Sequence, residues 1–541
     1  MKPLLLFTII IFSWGQVDTV WTQRYNGPGN SHDKAVDITV DNDLNVYVTG
    51  ISMTSGVNQC ITTIKYNSVG NVIWVRTYDG FWDGDDYAIG LSEIIDNEFY
   101  VLGSYMALDH TYDYLIIKYN TNGDTVWVRT LSGIWGDHDY ISDFVVDNSG
   151  NLYITGTTNS AWTYTDFMTV KFSPNGDIVW TRVYNHIADK HDEPSAIAVD
   201  SEGNIYVTGK SWDYTTGYDF LTVKYDSTGE LLWVERYNGI ADSTDEAKCI
   251  SVDTENNVYI SGITYVPGHG FDICTIKYSS LGETLWVRNY GGSGHLNDSP
   301  TKILLDTANC ALVVTGTSFE GTNDYLVIKY SLNGEELWSQ TYNGTGNGND
   351  MVYDASIDFY GNVYIIGSSM GAGTSSDYAI LKYHTNGYLE WITRYNGIAN
   401  GIDRGYAIYI DSQSNLYAAG ESQGFGTGLD YLTIKYTQNN GVFEEFRAFT
   451  FPEVAIKNSV FKNYVEIQCH LEKKSQISSI KIFDTQGRLI KVYENFKNKK
   501  DDHRFLWNGK DDQDKEVPCG VYYIELESPN CRITRKIVKL R

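Results

Sequence analysis

The sequence predicts an all-β protein: an eight-bladed β-propeller of four-stranded blades, followed by a small immunoglobulin-like β-sandwich. Three observations predict it. Trp21, Trp74, Trp127, Trp180, Trp233, Trp286, Trp338 and Trp391 follow one another at 53 residues, with a single step of 52. A period of this length marks one structural unit stacked many times. Each unit holds four short runs rich in β-branched and aromatic residues, bounded by Gly, Asn and Asp, which read as strands. Four strands repeated eight times make a propeller. Finally, net charge changes from −33 over residues 1–446 to +6 over 447–541. The tail has its own series of short β-type runs, the pattern of a sandwich.

Taken in order, residues 1–15 read as a Sec-type signal peptide. Lys2 is the charged start, 4–12 is an apolar run too short to span a bilayer, and Ser13 and Gly15 are small residues before a cut at Gln16. The first Cys is Cys60, so no Cys stands at the signal junction, and no later run reaches 18 apolar residues. No transmembrane span is expected in the mature chain. The propeller is expected over 16–446. In its fourth unit the strands are 196–200 (a), 204–209 (b), 219–225 (c) and 233–237 (d). Counted this way, blade 1 begins near Ala35 and leaves the Trp21 strand over. Blade 8 begins near Gly405 and lacks a Trp strand near Glu445. The N-terminal strand should fill that place and remove an exposed edge. The third domain, 447–541, is all β.

Residues present in every unit read as architecture. Gly stands four places before seven of the Trp residues, from Gly70 to Gly387, and fits a positive-φ position in the c–d hairpin. Lys recurs in each c strand, from Lys65 to Lys435. Asp recurs twelve places after each Trp: Asp33, Asp86, Asp139, Asp192, Asp245, Asp298, Asp350 and Asp403. This set is expected to cap the turn into strand a, pairing with Lys or backbone N–H. A ring of eight carboxylates could also bind Ca²⁺; no other cofactor is expected. The Asp-x-x-Gly-Asn segments between a and b read as Asx turns. Net charge of −27 excludes nucleic acid or an anionic membrane as a bulk-charge partner. Seven Cys form no disulfide framework. Cys60, Cys249 and Cys274 fall in strands and are expected as buried thiols, and one bridge among Cys469, Cys519 and Cys531 is open.

The run 199–209, VDSEGNIYVTG, resembles the signature of the bacterial β-propeller repeat family named for seven blades. The resemblance recurs over 21–436 and implies the fold, with no shared reaction; the count of eight departs from the name. Residues 66–74, YNSVGNVIW, are similar to the tryptophan-docking motif of quinoprotein dehydrogenases, but the vicinal Cys pair of those enzymes is missing here. In the tail, 480–491 (IKIFDTQGRLIK), 507–512 (WNGKDD), 517–523 (VPCGVYY) and the ending 536–541 (KIVKLR) resemble the C-terminal sorting domain of the type IX secretion system. The related flagellar hook-cap immunoglobulin-like domain shares this pattern. Asp514 replaces the usual Gly of its turn. The resemblance implies type IX machinery as a partner and a secreted or outer-membrane-surface location.

Strand order puts the a–b and c–d turns on one face and the b–c and d–a loops, expected to be longer, on the other. His32, His138 and His191 precede ring Asp residues, but they come from separate blades and have no chelate spacing. No nucleophile-elbow, metalloprotease or phosphate-loop motif is present. The four Trp outside the repeat, leader and tail are Trp82, Trp135, Trp162 and Trp212, accompanied by Phe81, Tyr164 and Tyr214, all assigned to long loops of blades 1–4. Clustered exposed aromatics call for a partner. These seven residues are the candidate ligand-binding set, with no catalytic residue or metal ligand assigned. The expected function is a secreted or surface-displayed binding or scaffold protein recognising an extracellular glycan or protein. The alternative is a secreted polysaccharide hydrolase or lyase using scattered carboxylates.

Overall fold

The structure, a computed structural model, describes residues 16–439 and 453–540, apart from 55–57, 81–83, 134–137, 160–163, 187, 189, 295, 458–459, 463, 471–478, 485–487, 495–502 and 529–530. The described residues are all strand, turn and loop. None forms a helix long and apolar enough to cross a membrane.

Residues 16–439 form eight four-stranded antiparallel sheets, the blades. Blade 4 is typical: a Asp192–Val199, b Ile205–Asp213, c Gly217–Tyr225 and d Leu231–Tyr237, hydrogen-bonded in that order. The b and c strands are buried on both faces between neighbouring blades, which is why their sequence is apolar without strict alternation. The other a strands are Lys34–Val40 (blade 1), Tyr87–Leu91 (2), Tyr140–Val146 (3), Asp245–Val252 (5), Ser299–Asp306 (6), Asp350–Ile357 (7) and Asp403–Ile410 (8). Blade 8 takes its fourth strand from the other end of the chain. Gln16–Tyr25 pairs antiparallel with Gly428–Asn439, Trp21 opposite Lys435. The expected closure is what the sheet shows.

One clip joins most blades to the next. The c-strand Lys and the d-strand Trp opposite it both donate to one carbonyl in the next blade's c–d turn. Lys65 Nζ and Trp74 Nε1 reach the Thr121 oxygen at 2.9 and 3.2 Å. The same pair of bonds recurs at Pro174, Ser227, Ser280 and Thr385. Outside blade 6 the Lys ammonium also lies over a Tyr ring of its own b strand, as Lys65 does over Tyr47 at 4.8 Å. The turn glycine has two reasons to be glycine. At Gly123 φ is +83°, and a Cβ there would stand 2.9 Å from the Trp74 indole.

The ring of Asp residues is structural in a way that differs in part from expectation. Each is buried, and its partners are backbone N–H groups and hydroxyls, not the c-strand Lys. Asp33 accepts from the Gly27 N–H at 2.7 Å, the Met53 N–H at 3.0 Å and the Ser52 hydroxyl at 2.6 Å. Its own N–H donates to the Leu429 carbonyl of the neighbouring blade. Each carboxylate thus ties down its own d–a loop. Among the described residues no group of three or more His, Cys, Asp or Glu is placed to hold a metal ion. The a–b segments are Asx turns: Asp200 Oδ1 accepts the N–H of Glu202 and Asn204, and Oδ2 accepts Asn204 Nδ2 and the Tyr206 hydroxyl.

One expectation fails. The b–c connections are hairpins of three to five residues, no longer than the a–b turns; only the d–a loops, at seven or eight residues, are long. Cys60, Cys249 and Cys274 are buried thiols and Cys519 is an exposed one. Cys519, being free, takes no part in a bridge, whereas Cys310 is disulfide-bonded.

The C-terminal strands form two sheets. One has Glu453–Lys457, Val465–His470 and Cys-free His503–Trp507; the other has Val460–Phe461, Cys531–Lys539, Gly520–Ser528, Ser479–Asp484 and Leu489–Glu494 in that order. Val460–Phe461 runs parallel to its neighbour. Trp507, fully buried, packs edge-on against Tyr522 at 5.2 Å, with Ile480, Ile482, Ile524 and Ile537 also buried.

Candidate functional site

The a strands of successive blades lie side by side and surround the propeller axis. Seven carry a bulge, between Ala35 and Asp37 in blade 1 and at the matching place in blades 2, 3, 4, 5, 7 and 8. A bulge inserts one residue and shifts which side chains share a face. Positions on either side of it can therefore both face the axis.

The deepest level alternates. Asp37, Asp143 and Asp354 stand in blades 1, 3 and 7; Gly90, Ala196 and Ala407 stand in the blades that follow them. Each carboxylate fills the space beside the small residue and accepts the next N–H of that strand. Asp37 Oδ2 accepts from Leu91, Asp143 Oδ2 from Ile197 and Asp354 Oδ2 from Ile408, all at 2.9 Å. A Cβ on Gly90 would stand 2.8 Å from the Asp37 carboxylate. Blades 5 and 6 break the alternation with Cys249 and Lys302. Lys302 Nζ bonds Asp354 Oδ1 at 2.5 Å. Burial pushes Asp37 and Asp143 up to about 6. Burial also opposes the charge on Lys302, but Asp354, Asp37 and Asp143 together hold it above its usual range. Burial raises the Cys249 thiol to about 12, so it is no nucleophile.

At the mouth on the d–a loop side the levels divide into sectors. Blades 8 and 1 present Arg404 and Lys34. Arg404 Nη1 pairs with Glu421 at 2.9 Å, which also accepts the Tyr406 hydroxyl at 3.0 Å and lies 3.1 Å from His32 Nε2. Burial opposes the charge on Glu421, yet the bonds from His32, Tyr406 and Arg404 hold it below the usual carboxylate range. Blades 4 and 5 present Glu193 and Glu246, both paired with Lys210, at 2.9 and 3.8 Å; Lys248 adds a pair to Glu246 at 2.6 Å. Blades 2 and 3 present exposed Tyr87 and Tyr140, each 5.5 Å from Tyr112, with His138 against Tyr112 and Tyr140.

The sequence-derived set maps onto this face as follows. Phe81, Trp82, Trp135 and Trp162 lie outside the described residues. Tyr164 is exposed, 4.3 Å from the His191 ring and beneath Lys190 Nζ at 4.2 Å. Trp212 is at the end of strand b, not in a loop; it packs edge-on to Tyr218 at 4.8 Å. Tyr214, in the adjoining turn, is 72% exposed. Tyr87, Tyr112, Tyr140 and Tyr218 extend the aromatic arc and were not singled out from sequence. Their signal was a Tyr one residue after a ring Asp in two consecutive units. His138 and His191 cap hairpins: His138 Nδ1 accepts the Tyr112 N–H and His191 Nδ1 meets the Thr165 hydroxyl, both at 3.1 Å.

Comparison with known proteins agrees with this architecture. Residues 126–161 and 179–218 match the Beta-propeller repeat family, and residues 456–530 match the FlgD Ig-like domain. Over those residues the propeller resembles the first family and the tail the second. A relative is an uncharacterized WD repeat-containing protein of Acanthamoeba polyphaga mimivirus, 25% identical over 399 residues, 56% of this chain. The match spans only 26% of that protein's length. Among solved structures, PorZ of Porphyromonas gingivalis, an essential surface component of the type-IX secretion system, matches at 10% identity over 94% of this chain and 81% of its own, with a TM-score of 0.30. The periplasmic gluconolactonase PpgL of Pseudomonas aeruginosa matches at 9% identity over 67% and 95%, with a TM-score of 0.40. Likenesses at this level bear on neither activity nor partner.

Proposed function

We propose that this is an exported binding protein whose propeller recognises a glycan or a protein through the d–a loop face, and whose tail serves as a type IX sorting domain. The observation that supports the binding role is an aromatic arc: Tyr87, Tyr140, Tyr164 and Tyr214 are exposed on blades 2–4 of one face. Aromatic faces suit sugar rings and protein hot spots. The test is a glycan and protein array probed with the mature chain, followed by Tyr140→Ala and Tyr164→Ala on each hit. A loss of about tenfold in affinity, about 1.4 kcal/mol, at unchanged melting temperature is expected. Unchanged affinity with lowered stability would move the site elsewhere. Release of reducing ends from a bound glycan would replace this reading with a polysaccharide hydrolase or lyase. Export is tested by fusing residues 447–541 to a periplasmic reporter in a host with a type IX system. Transfer to the surface or medium is expected, and retention in the periplasm would leave the tail an accessory sandwich.

A further inference from the structure

We propose that the axial mouth between blades 8 and 1 takes the carboxylate of an acidic sugar; this deepens the binding role proposed above and rests on it. The key residue is Lys34. Its ammonium is half-buried, 4.0 Å from the centroid of the Tyr406 ring. No ion pair holds it among the described residues. A cation withdrawn from water without a counter-ion carries a desolvation cost that an incoming anion offsets. Burial accordingly holds Lys34 below the usual lysine range; Glu421 pulls the other way and Arg404 adds to the lowering. Glu421, 1% exposed, cannot serve both cations, because Arg404, Tyr406 and His32 already engage it. Lys34 and Arg404 thus share one carboxylate, leaving a local excess of one positive charge.

That excess stands on a domain of strongly negative net charge. Beyond a Debye length of about 8–10 Å the negative field is largely screened, so a single carboxylate is accepted where a polyanion is repelled. Glu193 and Glu246, on the blades across the ring, disfavour the reverse orientation of such a ligand. The sugar ring is indicated by the Tyr353 and Tyr406 rings, 4.8 Å apart beside Lys34, and by the tyrosines that continue round the same mouth.

The experiment titrates the mature chain with matched pairs, sialyllactose against lactose and galacturonate against its methyl ester, with hexaglutamate as the peptide arm. The acidic member of at least one pair is expected to bind about tenfold or more tighter than its neutral partner. Lys34→Met should abolish that preference without lowering the melting temperature, and Lys34→Arg should restore it. Absence of preference in the wild type, an equal preference in Lys34→Met, or hexaglutamate binding as tightly as the acidic sugars would each overturn the proposal. Wild-type protein that binds neutral sugars as tightly as their acidic counterparts would overturn it while the binding role stands. A mature chain that retains nothing on the array removes the binding role itself.

Discussion

Trp21 and Lys435 face each other across the closing pair of strands, and both donate to the Ser68 carbonyl, at 3.2 and 3.5 Å. Residues from the two ends of the propeller therefore converge on one acceptor in blade 1, repeating the clip found between other blades. Trp21 is as buried as its counterparts. Trp21→Ala is expected to cost about 3–5 kcal/mol. Deleting 16–26 should lower the melting temperature further, because it also exposes the edge of strand c in blade 8. A truncated protein melting within a degree or two of wild type would mean that the strand closes nothing.

Two glycine substitutions separate backbone strain from packing. Gly123 and Gly268 have φ of +83° and +85°, but an added Cβ meets the Trp74 ring at 2.9 Å in the first and nothing within 4 Å in the second. Gly268→Ala should cost about 1–2 kcal/mol from the left-handed backbone alone. Gly123→Ala should cost about 1–3 kcal/mol more, from overpacking against the indole. Denaturant titration reads the difference, and equal costs would show that the indole moves aside freely.

Some turns carry a side chain where their siblings carry glycine. Ser414 has φ of +62° at the place held by Gly150, Gly203 and Gly361, and Asp514 has φ of +60° in the tail. Ser414→Gly should stabilise the propeller by up to about 1 kcal/mol, relief of the left-handed penalty being partly offset by the freer unfolded chain. Asp514→Gly should do the same for the tail. A lowered melting temperature for Ser414→Gly would count against a strained turn.

Stability should rise on mild acidification. Asp37, Asp86 and Asp143 are raised by burial to about 6, against about 3.9 in an unfolded chain. Between those values the folded protein binds more protons than the unfolded one. Stability is then greatest near the unfolded value and falls as pH rises through about 6. Glu421 acts oppositely: its lowered value contributes stability above the unfolded glutamate range, lost on further acidification. Melting temperature is expected to climb from neutral pH to about pH 5, and the double variant Asp37→Asn, Asp143→Asn should flatten the climb. A maximum on the alkaline side would show that these carboxylates titrate normally.

Repetition explains what was legible beforehand. Trp residues at constant spacing disclosed the blades, and the missing Trp near Glu445 disclosed the closing strand. The axial levels were not legible, for two reasons. Positions 37, 90, 143, 196, 249, 302, 354 and 407 differ in residue type, so no motif marks them. The bulge before seven of them also breaks the two-residue alternation by which strand faces are read. Trp212 was assigned to a loop because the turn residues after it obscured how far strand b runs. The c-strand lysines looked like partners for the ring aspartates because charge, not carbonyl acceptors, is what a sequence displays.

The axial alternation of Asp with a small residue gives the ring a parity. Blades 1 and 2, 3 and 4, and 7 and 8 are couples in which one partner lends a carboxylate and the other lends room and an N–H. The 53-residue repeat is the covalent unit, but the unit that fits around the axis is twice as long. Removing one blade of such a couple would set carboxylate beside carboxylate or leave a niche unfilled. A ring of this kind grows and shrinks in pairs, and the couple formed by Cys249 and Lys302 is the one free to diverge.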